Sequence, residues 1–417
     1  MRRLGAQERA SLLSPAFADE AENGYSERNI NGKITTQMIE VQRISRGENA
    51  PVQAPISRAD LQRALREFTT PSLFWGTALA LADLAQYAGA IAGVLWLPWL
   101  GAKIACSIFA GLKIANLATL GHDAAHGSLT PSAALNRVLG IVVFVPGLTN
   151  WALWIYEHHK RHHPYTNGEL VDTYTPLSKA EYDALPSWHR ALERLHRNPL
   201  GLGFGLYYIV ERWWEVKLLP RAGVPEKFRA SAWRHFALLM AYLGAFLAVL
   251  AGAPLYSATG SATALLLGFA VPFYVWMELM SGSLYFQHTD PAIPWFKSET
   301  DRRRIPVEAL TLHLKFPLWF SRYMHHVYDH PVHHVQPAIP CYRLHEAQLV
   351  LNRLSPDHVS RRFTLGLFWD TLRRCKLYDY HRHRWLDFDG KPTGEPILRK
   401  AAPARQRAHE VVLTAAE

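Results

Sequence analysis

Two long apolar tracts constrain this chain more than anything else in it. From Ser72 to Leu120 the sequence is almost continuously apolar, broken only at Leu97-Pro98-Trp99-Leu100-Gly101. Phe236 to Leu255 and Ala262 to Leu284 form a second pair, joined by the uncharged connector Tyr256 to Ser261. Roughly 20 apolar residues carry a helix across the hydrocarbon layer, so each pair suits two crossings. In lipid a helix satisfies its own backbone, which an irregular segment cannot do. The expected architecture is therefore an all-α integral membrane protein with four transmembrane helices, at about 72–94, 98–120, 236–255 and 262–284. Asp83, Lys103 and Lys113 are costly within such a layer. Lys113 can snorkel towards an end, and Asp83 is expected to face protein instead of lipid.

Lysine and arginine set the orientation. The amino-terminal arm, the 127–234 loop and everything after His288 are rich in both, whereas the two short connectors hold only Lys103. The positive-inside rule then puts both termini in the cytoplasm. A net charge of +10 suits nucleic acid or an anionic membrane surface. No nucleic-acid motif accompanies it, so the membrane is the expected partner. Three widely spaced cysteines, Cys106, Cys341 and Cys375, give neither a disulfide framework nor a thiolate metal site, in keeping with a reducing compartment.

Three regions follow. Residues 1–56 read as a flexible polar arm without a secretory signal. Residues 57–355 hold the membrane domain, opening on an amphipathic helix that Ser57 caps, Pro71 ends and the membrane surface carries. Residues 356–417 read as a cytoplasmic segment with a loose basic tail.

The chemistry lies in the histidines. Glu157-His158-His159-Lys160-Arg161-His162-His163-Pro164 places four in six positions, and from His159 it spells H-x-x-H-H. His330, His333 and His334 repeat the spelling, and His122 and His126 make an H-x-x-x-H pair. With 21 histidines in 417 residues, chance writes H-x-x-H-H at roughly one start in eight thousand, so two copies are not accidental. On a helix i, i+3 and i+4 share one face. Isolated His189, His196, His235 and His345 read instead as ordinary surface or core residues.

The second crossing runs straight into His122 and His126, and Gly127 supplies a left-handed stop. Val138 to Tyr156 is apolar but split at Pro146-Gly147. It is expected to dip or lie in the interface, which keeps all three boxes on the cytoplasmic side in a helical cap. Leu310 to Tyr323 reads as an interfacial helix interrupted at Pro317, and Asp329-His330-Pro331 as a helix start. Eight neutral imidazoles exceed the needs of one tetrahedral zinc and suit a two-metal centre at about four per ion. His288, at the end of the fourth crossing, is a candidate ninth ligand. Asp123, Glu157, Asp172, Asp290 and Asp329 are candidate acceptors for the ligands' second N–H groups.

Boxes of this kind, HDAAH at 122–126, HHKRHH at 158–163 and HPVHH at 330–334, resemble those of the integral-membrane fatty acid desaturase and hydroxylase superfamily. LYFQHTDPAIPW at 284–295 and HHVQPAIPCYRLHEA at 333–347 look like the acyl-lipid, delta-12 type. The likeness covers roughly residues 60 to 355. It implies two iron ions held by His122, His126, His159, His162, His163, His288, His330, His333 and His334. It further implies activation of O2 with electrons from ferredoxin or cytochrome b5, and a cis double bond placed in an acyl chain of a membrane lipid, CoA or acyl-carrier-protein thioester. The stearoyl branch has an Asn four residues before its lone histidine; Leu284 stands there here. No His-Pro-Gly-Gly haem motif occurs, so the donor is expected to be a separate protein. Lys160 and Arg161 could serve a lipid phosphate, the donor's acidic face or solvent. Hydroxylation, acetylenic-bond formation, or oxygenation of a carotenoid or sphingoid lipid are alternatives on the same scaffold. A metal-binding or transport protein is the non-enzymatic alternative, and it would need several ionisable residues at mid-membrane.

Overall fold

The computed structural model describes residues 56–398, apart from 169–173, 199, 222–223 and 356–357. The expected amino-terminal arm, Asp172 and the tail from 399 onward lie outside the described residues.

Four helices are long and apolar enough to cross a membrane: α1 (Leu73–Trp96), α2 (Leu100–His126), α3 (Glu226–Ala251) and α4 (Ser261–His288). The last contains a π-helical turn at Leu266–Ala270. At 1.5 Å per residue α2 and α4 are roughly 40 Å long, about 10 Å more than the hydrocarbon core. Their ends therefore overhang it, carrying His122, His126 and His288. Helix α3 begins at Glu226 instead of Phe236, because its charged first turns, with Lys227, Arg229 and Arg234, continue the helix beyond the apolar run. Apolar composition marks a bilayer, not a helix end.

Helices α2 and α4 meet closely at Gly111. A Cβ there would stand 2.6 Å from Val275 Cβ and 2.8 Å from the Pro272 carbonyl. Lys103 is buried and caps the end of α1, its Nζ donating to the Val94 carbonyl at 2.8 Å and to Thr259 Oγ1. Asp83 faces protein, as expected, whereas Lys113 does not snorkel. Its ammonium is buried 2.7 Å from Asp83 Oδ1, and His325 Nε2 lies 2.5 Å from Asp83 Oδ2. An ion pair between α1 and α2 removes the need to reach water.

The apolar stretch after α2 forms a helix at Ala133–Phe144, too short to cross, and another at Trp151–Glu157 after the Pro146-Gly147 break. The first described helix, Arg58–Ala64, is capped by Ser57 as expected. Its apolar stripe is not offered to the membrane surface: Leu61, Leu65 and Phe68 are buried with Val335 and Leu344. Leu310 to Tyr323 is not one interrupted helix. His313–Lys315 is a strand pairing in parallel with Ser360–Arg362, and Leu318–Tyr323 is helical after Pro317. The chain is thus mostly helical instead of wholly so. A helix at Leu365–Arg374 and a small antiparallel pair, Leu377–Asp379 with Arg384–Leu386, follow.

Candidate metal centre

Four remote parts of the chain deliver the histidines to one place. The overhang of α2 presents His122 and His126 one turn apart, and Gly127 at φ 73° ends the helix. The overhang of α4 presents His288. A short helix, His330–Val335, begins with Pro331 in its first turn, where the missing N–H costs nothing, and carries box 3.

Box 2 lies in a π-helical turn, His158–His162, in which the His163 N–H donates to the His158 carbonyl at 3.1 Å. That i, i+5 closure changes which side chains meet. In α-helical register His159 and His163 would be neighbours; here His158 and His163 are, with Nε2 atoms 2.9 Å apart. His159, expected as a ligand, stands outside both groups described below. Its ring is 4.3 Å from that of His126, and its Nε2 is buried without a hydrogen-bond partner among the described residues. The spacing H-x-x-H-H presupposes a regular helix, and the π turn brings His158 instead of His159 into the group. The other eight expected ligands are brought together.

They form two groups. His122, His126, His158, His163 and His333 make one; His162, His288, His330 and His334 make the other. Within the first, Nε2–Nε2 separations are 3.0 Å for His122–His333, 3.3 Å for His126–His163 and 3.1 Å for His163–His333. In the second they are 3.0 Å for His288–His330 and 2.9 Å for His330–His334. His163 Nε2 therefore faces three other ring nitrogens, and a single proton serves only one such contact. A cation satisfies all of them. Two nitrogens about 2.1 Å from a common ion stand ~2.9 Å apart at a right angle and ~3.4 Å apart at the tetrahedral angle. The residues present fit a pair of metal ions.

Burial favours the neutral, ligating form. It holds His158, His163, His333 and His334 well below the ordinary imidazole range, with the neighbouring rings adding to the effect, and takes His159 to about 4. Second N–H groups are oriented from outside. His122 Nδ1 lies 3.1 Å from Asp123 Oδ1, and the other carboxylate oxygen accepts the Cys341 N–H. His288 Nδ1 meets Asn167 Oδ1 at 3.1 Å, and His334 Nδ1 meets Thr166 Oγ1 at 3.2 Å. Trp154 stacks on the His158 ring at 4.2 Å.

Of the expected acidic acceptors, Asp123 alone among the described residues touches a grouped histidine. Glu157 pairs with Arg161 at 2.9 Å, and Asp290 meets Arg361 at 3.3 Å. Asp329 instead gathers histidines that box reading passed over: His313 at 3.0 Å, His345 at 3.1 Å and His326 at 3.5 Å. These contacts outweigh burial and hold its carboxyl well below the usual carboxylate range. Asn167 and Thr166 were also missed; their closeness to box 2, just past Pro164, was the available signal.

A sequence model described as fatty acid desaturase matches residues 94–366. The chain is 25% identical over 308 residues to a chloroplastic omega-6 fatty acid desaturase of Spinacia oleracea, covering 73% of this chain and 65% of that one. The chain thus spans just under two thirds of that relative's length. It is 26% identical over 304 residues to the chloroplastic omega-6 fatty acid desaturase of Glycine max, covering 72% and 68%. To the sn-1 oleoyl-lipid 12-desaturase of a Synechocystis species it is 25% identical over 338 residues, covering 78% and 91%.

Proposed function

The chain belongs to the fatty acid desaturase family, and from that premise we propose that it is an O2-dependent desaturase placing a cis double bond in a membrane-held acyl chain. The observation that carries this reading is the pair of buried histidine groups at the overhanging ends of α2 and α4. Two iron ions would be held there, one by His122, His126, His158, His163 and His333, the other by His162, His288, His330 and His334. His158 takes the place that spacing alone gives to His159.

Bound iron would supply the O2-dependent oxidising power for removing two hydrogens from adjacent methylenes. The reaction balances as –CH2–CH2– plus O2, two electrons and two protons giving –CH=CH– and two waters. The electrons come from a separate ferredoxin or cytochrome b5. The chain's own contribution is to hold nine imidazoles neutral and in place. Asp123 and Asn167 fix which nitrogen of His122 and His288 faces inward. Burial of His162, His330, His333 and His334 keeps bulk water from the reacting carbons. The relatives' names suggest an oleoyl-type chain and a bond at the omega-6 position. Positive-inside counting puts the centre and both termini on the cytoplasmic side, with residues 57–355 as the catalytic membrane domain.

The test is gas chromatography–mass spectrometry of fatty acids from a host expressing the chain with its electron donors, beside a His163→Ala variant. A dienoic acid in the wild type alone is the expected result. A hydroxy or acetylenic acid would keep the metal pair and replace the outcome. No product from iron-loaded protein would move the substrate to a carotenoid or sphingoid lipid.

A further inference from the structure

Apolar surface continues beyond the four long helices. Leu206, Val210 and Trp214 recur every fourth position along a helical segment, with Leu202 just before its start, and the four stand 42%, 46%, 47% and 67% exposed. That segment runs antiparallel to α4: Ser281 Oγ donates to the Phe204 carbonyl at 2.7 Å, while the Trp213 ring lies 5.3 Å from Phe273. Its outer stripe is thus continuous with the lipid-facing side of α4, where Tyr274 is also exposed.

The helix Leu365–Arg374 abuts the head of this stripe. Gly201 approaches the Phe368 ring so closely that a Cβ would stand 2.2 Å from it. Phe368 turns inward and stacks on Phe286 at 5.1 Å. Leu365 and Trp369 turn outward, 61% and 47% exposed, beside Leu200 at 77%. The last turn carries Arg373 and Arg374, which share the single carboxylate of Asp370 at 3.9 and 3.3 Å and so leave one positive charge in excess. Apolar residues and tryptophan on one face with arginines at the end match the headgroup–acyl boundary of a bilayer. The last helix belongs to the segment that sequence assigned to the cytoplasm.

We propose that Leu200, Leu202, Leu365 and Trp369 form a bilayer-seated foot of the cap, continuous with the stripe along α4. Its occupant is the lipid surface, because the patch extends the exposed apolar side of a helix long and apolar enough to cross a membrane, and its one excess positive charge suits phosphate headgroups. The foot stands close to the metal pair. Phe368 reaches Phe286, which lies two positions before His288. Bilayer lipid is thereby held at the same level as the centre, which suits an acyl chain that never leaves the membrane.

The experiment uses the full chain in vesicles of phosphatidylcholine and phosphatidylglycerol, on a Cys106→Ser background. Nitroxide labels are placed by Leu202→Cys, Leu365→Cys and Trp369→Cys, with Arg382→Cys as the water-exposed control. The three foot labels should be relaxed by molecular oxygen and spared by a water-soluble nickel chelate, and the control should show the reverse. Foot labels open to nickel would overturn the proposal. So would labels shielded only after an electron-donor protein is added, or only at concentrations that associate the chain, since the occupant would then be protein. The readout needs no turnover, so the foot can fail while desaturation stands, and the converse.

Discussion

Replacing Asp83 by leucine tests whether the charge in the middle of α1 is held by its partner across the helix interface. Both side chains of the Asp83–Lys113 pair are at most 4% exposed, and their charged atoms are 2.7 Å apart. Asp83→Leu leaves the Lys113 ammonium buried, with the Tyr323 ring at 4.6 Å as its nearest remaining attraction. Removing one member of a buried pair costs about 3–5 kcal/mol, whereas exchanging both for apolar residues of similar volume is close to neutral. That cation–π contact is already present beside the ion pair in the wild type, so it does not offset the loss. The net expectation for Asp83→Leu is a loss of about 3–5 kcal/mol, and for Asp83→Leu with Lys113→Leu about 1–3 kcal/mol, the cost of leaving buried His325 without its acceptor. In thermal unfolding of nanodisc-embedded protein, followed by tryptophan fluorescence, the single variant should melt roughly 5–15 °C below wild type. The double variant should recover part of that. A double variant as unstable as the single, or a single variant melting with wild type, would refute the pairing. Iron content gives a second reading. His325 also loses its acceptor, and it precedes His330 by five positions. Iron should therefore stay low in both variants although stability partly returns in one.

His158→Ala should lower bound iron while His159→Ala largely keeps it, measured by elemental analysis of purified protein; the opposite ranking would restore α-helical register to box 2. Asp123→Asn should weaken iron retention against a chelator by about 10–100-fold, the usual effect of losing a carboxylate behind a ligand histidine. Folded-state values for His158, His163, His333 and His334 lie below that of the unfolded chain. Stability and iron should therefore be fully present above about pH 6.5 and be lost as the pH falls. Dialysis across a pH series followed by iron assay checks the sign, and loss on the alkaline side alone would contradict it.

Sequence resolves best what simple periodicities encode. The four crossings were legible because hydrocarbon thickness demands a minimum apolar length, and the boxes because clustered histidine is rare by chance. Helix ends beyond the bilayer were less so, as Glu226 shows: charged residues extend a helix as readily as apolar ones. That His158 and not His159 falls within the histidine group was hidden because it depends on one backbone hydrogen bond, which no spacing reports. Lys113 was misjudged for a related reason. Snorkelling is the default for a lysine alone, and the presence of Asp83 at its level on α1 is a fact of packing. The carboxylate hub at Asp329 joins His313, His326 and His345, positions too far apart in the chain for any local pattern.

Two pairs of consecutive residues straddle the metal centre. His163 and His333 belong to one histidine group, and their neighbours His162 and His334 to the other. Ordering either group fixes the backbone that presents the next side chain, so the first ion removes much of the conformational entropy that the second would otherwise lose. By linkage the help is mutual. Iron uptake should therefore be cooperative: at half the iron needed, a population would divide into filled and empty chains, with few carrying a single ion.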